Sequence, residues 1–298
     1  MLRKISLLIL AILVISVPAA FAEPVKSQKP GLLILAHGSP AVAWNNAVTE
    51  TAKKVEILNA EKKVFHAVTV AFMEFAQPDT ATGVETLEAA GCDRIIVVPV
   101  FVCPTSHTHF DVPAVLGLYS SPRIRKTLKE ENARIAKPTV PITVTQTMSE
   151  GDLLDLYVDS EILALSQNPK EEAVLLIAHG DEEHAPMVDR IMSRLLTRAC
   201  GSTGITAGQF AYCEVGQTYQ QHVIPAIREL SEHKKRVLVV GFYLATSAKT
   251  LHERAGAMPG GQAERNPLEG IDIRFSDKGI IDHPKMPVWI LNTAGEAL

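Results

Sequence analysis

Short apolar runs recur along the chain, and segments whose apolar residues keep a helical spacing separate them. Such runs are typical of buried strands, and Trp44, Val48, Val55 and Leu58 mark one face of a helix between the first two runs. The strands predicted in the first half are residues 31–36, 64–72, 95–101 and 142–147, and the helices lie near 40–58, 79–90 and 124–136. Strands that alternate with helices predict a parallel sheet covered on both faces.

The same pattern starts again after residue 170, where the run at 173–178 is followed by a second His-Gly pair. The corresponding residues of the two halves are His37 and His179 (offset 142), Glu74 and Glu214 (offset 140), and Phe101 and Phe242 (offset 141). Nearly equal offsets over separate strands predict an internal duplication. We therefore expect two similar α/β domains, residues 31–150 and 171–298, joined by a helix near 150–170.

The first 22 residues have the pattern of a secretory signal peptide. A short basic start precedes an apolar run at 5–17, and Ala20-Phe21-Ala22 offers the small residues that signal peptidase needs before Glu23. The alternative is an uncleaved membrane anchor, although the apolar run is short for a span and Pro18 follows it. We expect an exported protein that works in the periplasm or another extracytoplasmic space.

Composition narrows the kind of ligand. The formal charge is −4 and no basic block is present, which argues against nucleic acid and favours a small ligand. The four cysteines form no CxxC pair, so neither a zinc knuckle nor a thioredoxin-type site is indicated. Cys92 and Cys103 flank or end a predicted strand and are interpreted as buried thiols.

Three titratable residues follow three successive predicted strands: His37, Glu74 and His107. Because ligands bind beyond the carboxyl ends of parallel strands, these side chains are expected at one edge of the sheet. Two imidazoles and one carboxylate suit a divalent ion such as Co²⁺, Fe²⁺, Ni²⁺ or Zn²⁺ and leave coordination positions open. Ser39 is placed as the N-cap of the next helix. The alternative for the His107 region is a surface loop with incidental histidines.

The segments that carry a family resemblance are LLILAHGSP, FMEFAQPDT and IIVVPVFVCPTSHTHFDVPAVLG. They resemble the sirohydrochlorin cobaltochelatase family of the CbiX type, in its two-domain form, which is related to the sirohydrochlorin ferrochelatases. The resemblance implies chelatase-like domains that insert a divalent metal ion, most typically Co²⁺, into a sirohydrochlorin-type tetrapyrrole with release of two protons. It also implies that His37, Glu74 and His107 bind the metal or handle protons. The loop departs from the family at Pro104-Thr105, where many members have His-Gly, and at His109, which is usually not His.

The resemblance suggests a division of labour between the halves. Glu74 is expected to accept a pyrrole proton, and the amides around Ser39 to help hold the carboxylates of the substrate. The second half has Ala248 where the repeat would place His107, so its role is expected to be structural, although His184 or His252 could substitute. The competing hypothesis is an exported carrier or chaperone for haem, another tetrapyrrole or a metal (Co, Ni, Fe) that has no turnover.

Overall fold

The computed structural model describes residues 28–130, 133–214, 218–257 and 266–298. The predicted signal peptide, residues 1–22, lies outside the described residues. Across the described ranges, no helix combines the length and the apolar character needed to span a bilayer.

Strands and helices alternate as the apolar pattern predicts. The strands are β1 (Pro30–Ala36), β2 (Ala67–Phe72), β3 (Arg94–Pro99), β4 (Ile142–Val144), β5 (Glu172–Ala178), β6 (Ala207–Tyr212), β7 (Arg236–Phe242) and β8 (Asp272–Phe275). The helices are α1 (Val42–Lys62), α2 (Thr80–Ala89), α3 (Val112–Val115), α4 (Pro122–Glu130), α5 (Leu153–Leu165), α6 (Ala185–Thr203), α7 (Ile224–His233), α8 (Ala248–Ala257) and α9 (Met286–Gly295).

The strands form two parallel sheets with the same order, β2-β1-β3-β4 and β6-β5-β7-β8. β1 and β5 are central strands, and every residue of both is buried. Central parallel strands bury both faces, which is why their sequences are continuous apolar runs rather than alternating ones. The predicted fold class, a duplicated α/β chelatase-like architecture, is confirmed.

Successive residues of β1 pack into different cores. Leu32 and Ile34 belong to a core that also contains Val174 and Leu176 of β5, whereas Leu33 and Leu35 belong to a separate core on the outer face of the first sheet. The inner faces of the two sheets therefore share one core. Full burial of one such side chain stabilises the fold by about 1.5–3 kcal/mol, so the shared core couples the two halves strongly.

Two helices cross between the halves within this shared core. α9, at the end of the chain, packs against α1 and β3 of the first half. α5 begins just after the first sheet and packs against α6 and β7 of the second half, where the Tyr157 hydroxyl donates to the Gly241 carbonyl at 2.7 Å. The predicted joining helix near 150–170 is confirmed as α5, but its packing partner is the second sheet.

Several predicted boundaries are wrong by a few residues. α1 begins at Val42 with Ala41 as its N-cap, so Ser39 is not the cap. The second strand begins at Ala67 rather than at residue 64, and the third ends at Pro99 although the apolar run continues to residue 101. α4 spans Pro122–Glu130, and residues 133–136 are not helical.

The strand register also corrects one predicted correspondence. Leu35 pairs with Pro99 in the first sheet, and Ile177 pairs with Gly241 in the second, which sets the offset of the third strand at 142. Phe242 therefore corresponds to Val100, and the predicted match with Phe101 is one residue off. An apolar run that extends beyond the last paired residue marks a buried segment but does not fix its register.

The two predicted buried thiols behave as uncharged groups. Cys92 is buried, and Cys103 is half-buried beside the interface between the halves. Burial, helped by the nearby Asp181 carboxylate, raises the pKa of Cys103 to about 11. Both residues are described with free thiols, which are weak nucleophiles when protonated.

Candidate functional site

His37 and Glu74 lie next to each other because the pairing of β1 with β2 continues beyond the strand ends. The amide of Met73 donates to the Ala36 carbonyl, and the amide of Glu74 donates to the His37 carbonyl, each at 2.9 Å. The side chains emerge side by side, with Nε2 of His37 4.0 Å from Oε1 of Glu74. The predicted convergence of these two residues is observed.

Gly38 makes this close approach possible. Its φ is +95°, a conformation that L residues with a side chain rarely adopt. A Cβ atom at this position would lie 1.9 Å from the carbonyl oxygen of Glu74. Glycine at position 38 is therefore a steric requirement of the close approach between His37 and Glu74.

His107 reaches the same edge from a helical turn and not from the predicted polar loop. A wide π-type turn spans His107–Asp111 and continues directly into α3. The Thr108 hydroxyl supports its start, donating to the Thr105 carbonyl at 3.0 Å and accepting from the Thr105 amide at 2.9 Å. The rings of His107 and His37 meet edge to face, with their centroids 4.7 Å apart.

Hydrogen bonds fix the tautomer of both imidazoles. Nδ1 of His37 lies 2.9 Å from the Gly38 carbonyl, and Nδ1 of His107 lies 2.8 Å from the Asp111 carboxylate. A carbonyl or an ionised carboxylate only accepts hydrogen bonds, so each Nδ1 carries the proton. In the neutral form of each ring, Nε2 then keeps its lone pair, the arrangement found in histidines that bind metals.

The charge around His107 favours its protonated form. The hydrogen bond to Asp111 raises the pKa of His107; burial opposes this, and the carboxylates of Asp111, Glu74 and Asp181 reinforce it. A proton therefore competes with any metal ion at this imidazole more strongly than at an ordinary histidine.

The three residues are neighbours but not an assembled ligand shell. Within the part of the chain that the structure describes, no group of three or more His, Cys, Asp or Glu side chains is placed so that it could hold a metal ion. A metal bound here would use fewer of these side chains, or all three after side-chain rotation.

Two phenylalanines border His37. Phe75 lies with its ring centroid 6.1 Å from that of His37, and Phe101 meets the same imidazole edge-on at 6.5 Å. Sequence reasoning missed both of these contacts, as well as Asp111. Asp111 stands four residues after His107, a spacing that becomes informative only if the segment is expected to be helical.

The backbone of Ser39 is already engaged by Asn45. The Asn45 side chain accepts from the Ser39 amide at 2.9 Å and donates to the Ser39 carbonyl at 2.7 Å. The Ser39 hydroxyl accepts from the Ala41 amide at 3.1 Å. The amide that was expected to hold substrate carboxylates therefore has a partner within the chain.

The second half repeats only part of the site. His179 keeps the bond from Nδ1 to the following glycine carbonyl, at 3.1 Å. However, the amide of Glu214 donates to the Thr218 hydroxyl at 3.2 Å, whereas the Glu74 amide donates to the His37 carbonyl. The strand offset of 142 places Lys249 opposite His107, and Ala248, the first residue of α8, is buried; neither has an imidazole. The second half therefore lacks the third functional group, as predicted.

The other two candidate histidines of the second half have local partners. Nδ1 of His184 lies 3.2 Å from the Asp181 carboxylate, and its ring stacks on His109 of the first half. His252 stacks on Phe275 with a centroid distance of 4.4 Å and bonds the Tyr219 hydroxyl. These contacts give both histidines a structural role, so neither residue requires a second active site.

The second half also holds the turn that carries His107. The amide of Ser106 donates to Asp181 at 3.3 Å, and its hydroxyl donates to Glu183 at 3.1 Å. His109 and His184 stack with their centroids 5.2 Å apart. The β5–α6 connection thus braces the turn that carries His107, which gives the second half a structural role at the site.

Comparisons with known proteins find relatives of this chain. The family model described as CbiX matches residues 31–162. The sirohydrochlorin cobaltochelatase of Methanococcus maripaludis is 35% identical over 88 residues, which are 30% of this chain and 58% of that protein. The sirohydrochlorin cobaltochelatase of Saccharolobus solfataricus is 30% identical over 109 residues, which are 36% of this chain and 80% of that protein. The chain thus spans 58% of the length of the first of these relatives.

Solved structures show the same fold over nearly the whole chain. SirB from Bacillus subtilis with Fe³⁺ superimposes with a TM-score of 0.62 at 15% identity, covering 90% of this chain and 95% of SirB. The sirohydrochlorin chelatase SirB of the subspecies spizizenii, in complex with cobalt, gives a TM-score of 0.61 at 16% identity over the same shares. At these identities the likeness concerns the fold alone.

Proposed function

Because this chain belongs to the CbiX family of sirohydrochlorin cobaltochelatases, we propose that it inserts a divalent metal ion into a sirohydrochlorin-type tetrapyrrole and releases two protons. The proposal rests on the proximity of His37, Glu74 and His107 at one edge of the first sheet. Co²⁺ is the proposed metal, since the relatives are cobaltochelatases; Fe²⁺ and Ni²⁺ are the alternatives. The metal ion is a substrate of this reaction.

The two histidines present the metal. Insertion replaces the ligands of the ion one by one, so the ion must be held by few groups and left open towards the macrocycle. In their neutral forms, His37 and His107 each carry a lone pair on Nε2, because Nδ1 holds the proton and donates it in a hydrogen bond to the Gly38 carbonyl or the Asp111 carboxylate. Neutral imidazole suits borderline divalent ions of this kind.

Glu74 accepts a pyrrole proton. Its carboxylate is mostly shielded, with 16% of the side chain exposed, and it stands 4.0 Å from the metal-binding nitrogen of His37. A base in this position receives the proton that leaves as the metal enters. A carboxylate at this distance also attracts the incoming cation electrostatically.

An insertion assay tests the proposal. Purified protein is mixed anaerobically with sirohydrochlorin and Co²⁺, Fe²⁺ or Ni²⁺, and the absorbance change is compared with the uncatalysed rate. We expect acceleration with at least one metal, and a fall to the uncatalysed rate in His107→Ala with the melting temperature unchanged. A wild-type rate in His107→Ala would refute the site. Tetrapyrrole binding without insertion of any of the metals would show a carrier instead.

We also propose that the protein is exported, on the sequence pattern of residues 1–22. Expression of the full chain, cell fractionation and N-terminal sequencing test this. A mature protein that begins at Glu23 outside the cytoplasm is the expected result. An intact N-terminus on cytoplasmic protein would refute export.

A further inference from the structure

Phe75 combines a strained backbone with an exposed side chain. Its φ is +59°, and the Ala76 amide donates across it to the Glu74 carbonyl at 2.7 Å. A three-residue turn with a positive central φ is rare and strained for a residue with a side chain. Phe75 is also 63% exposed, so burial of its ring returns little stability to the fold.

The backbone alone does not explain a phenylalanine at this position. The turn directs Glu74 towards His37, and glycine or asparagine would adopt the same conformation at lower cost. The side chain must therefore contribute something that the folded chain itself does not use. Strain of this kind concentrates where ligands bind.

The ring of Phe75 lies beside the imidazole that is proposed to present the metal. The two ring centroids are 6.1 Å apart and the planes are tilted by 31°. Phe101 also borders His37, but its side chain packs against the core of the first sheet. Phe75 is thus the apolar surface next to His37 that remains largely open to a ligand.

We propose that Phe75 binds the tetrapyrrole by packing its ring against the face of the macrocycle, while His37 and Glu74 face the central nitrogens. This inference rests on the proposed function. A tetrapyrrole is flat and apolar on its faces and carries its carboxylates at the rim, so an exposed aromatic ring fits its face. Aromatic rings that stack in this way lie with their centroids about 4.5–7 Å apart.

Four variants separate the ring from the backbone. Phe75→Gly removes the ring and relieves the strained φ, Phe75→Leu keeps an apolar side chain, and Phe75→Trp keeps an aromatic one. Leu163→Ala is the matched control, because Leu163 is 64% exposed, much as Phe75 is, but lies far from the site. It is near the end of α5, where Ser166 contacts the first residue of β5, at the sheet edge opposite the site. Each protein is titrated with metal-free sirohydrochlorin by fluorescence, and its melting temperature is measured.

We expect Phe75→Gly to keep or raise the melting temperature while its Kd for sirohydrochlorin rises by about tenfold or more. Phe75→Trp and Leu163→Ala should keep the wild-type Kd. The Kd of Phe75→Leu should lie between those of the wild type and Phe75→Gly. Unchanged Kd in Phe75→Gly, with wild-type protein that binds and turns over, would overturn the inference and leave the proposed function standing. Wild-type protein that binds no tetrapyrrole would overturn both. If Phe75→Gly unfolds, the comparison of Phe75→Leu with Phe75→Trp decides: equal affinities would refute an aromatic contact.

Discussion

The backbone amide of Glu74 donates to the carbonyl of His37 at 2.9 Å, and this bond sets the distance between the two side chains. β1 lies between β2 and β3, so the residues that follow all three strands converge on the end of β1. The proposed base and the proposed metal-binding imidazole are thus brought together by main-chain pairing, which side-chain substitutions do not easily disturb.

Gly38→Ala should break this arrangement. The positive φ alone costs about 1–2 kcal/mol for a residue with a Cβ, and the overlap with the Glu74 carbonyl adds to that. We expect a lower free energy of unfolding, measured by denaturant titration, and loss of insertion activity. Gly91→Ala is the control, because Gly91 has a φ of +83° but a Cβ there would meet no atom of the described residues within 4 Å. If both variants lose the same stability and keep activity, the close approach of Gly38 to the Glu74 carbonyl is not required for insertion.

Asp111→Asn should change the pH dependence of metal binding. The hydrogen bond that Asp111 accepts from Nδ1 of His107 raises the pKa of His107, so in the wild type a proton displaces the metal as the pH falls through that raised value. Without the carboxylate, the pKa of His107 falls, so the acid limit, the pH below which the Kd for Co²⁺ rises above that variant's own high-pH value, should be lower. Glu74 and Asp181 also raise this pKa and remain, so the shift is partial. Co²⁺ titrations across a pH series measure this shift. An acid limit that moves to higher pH contradicts the assignment of Asp111 as the group that raises the pKa of His107.

The sheets and the duplication could be predicted because buried parallel strands leave continuous apolar runs. β1 and β5 are buried at every residue, and each is followed by a His-Gly pair that marks the strand end. The convergence of His37, Glu74 and His107 followed from the rule that the carboxyl ends of parallel strands share one edge.

The remaining features depend on tertiary contacts that local sequence does not encode. The apolar residues of α9 could cover either sheet, and only the shared core decides that they cover the first. Nothing in the segment FMEFAQP signals a positive φ at Phe75, because phenylalanine rarely adopts it. The turn at His107 resembled a loop because its support comes from Thr108 and from Asp181 of the other half.

His179→Ala should lose at most a few-fold in insertion rate, whereas His37→Ala should lose nearly all of it. His179 is exposed, and its half has Ala248 in place of a second imidazole and a Glu214 amide that is bonded to Thr218. Both variants are assayed with the same metal and the same sirohydrochlorin preparation. Equal losses would mean that the two halves share one site and that the proposed division of labour is wrong.

Glu74→Gln separates a proton acceptor from a binding residue. Glutamine keeps the size and much of the hydrogen bonding of glutamate but is not basic, and losing a general base lowers rates by about 10²- to 10⁴-fold. We expect the insertion rate to collapse.

The affinity of the same Glu74→Gln protein for metal-free sirohydrochlorin should change far less, because a base acts mainly in the transition state. His37 and Phe75, the residues proposed to border the macrocycle, are unchanged in this variant. Insertion rate and tetrapyrrole affinity are therefore measured on one sample. A loss of rate with retained affinity identifies Glu74 as the proton acceptor, whereas equal losses in both would make it a binding residue and leave the proton to another group.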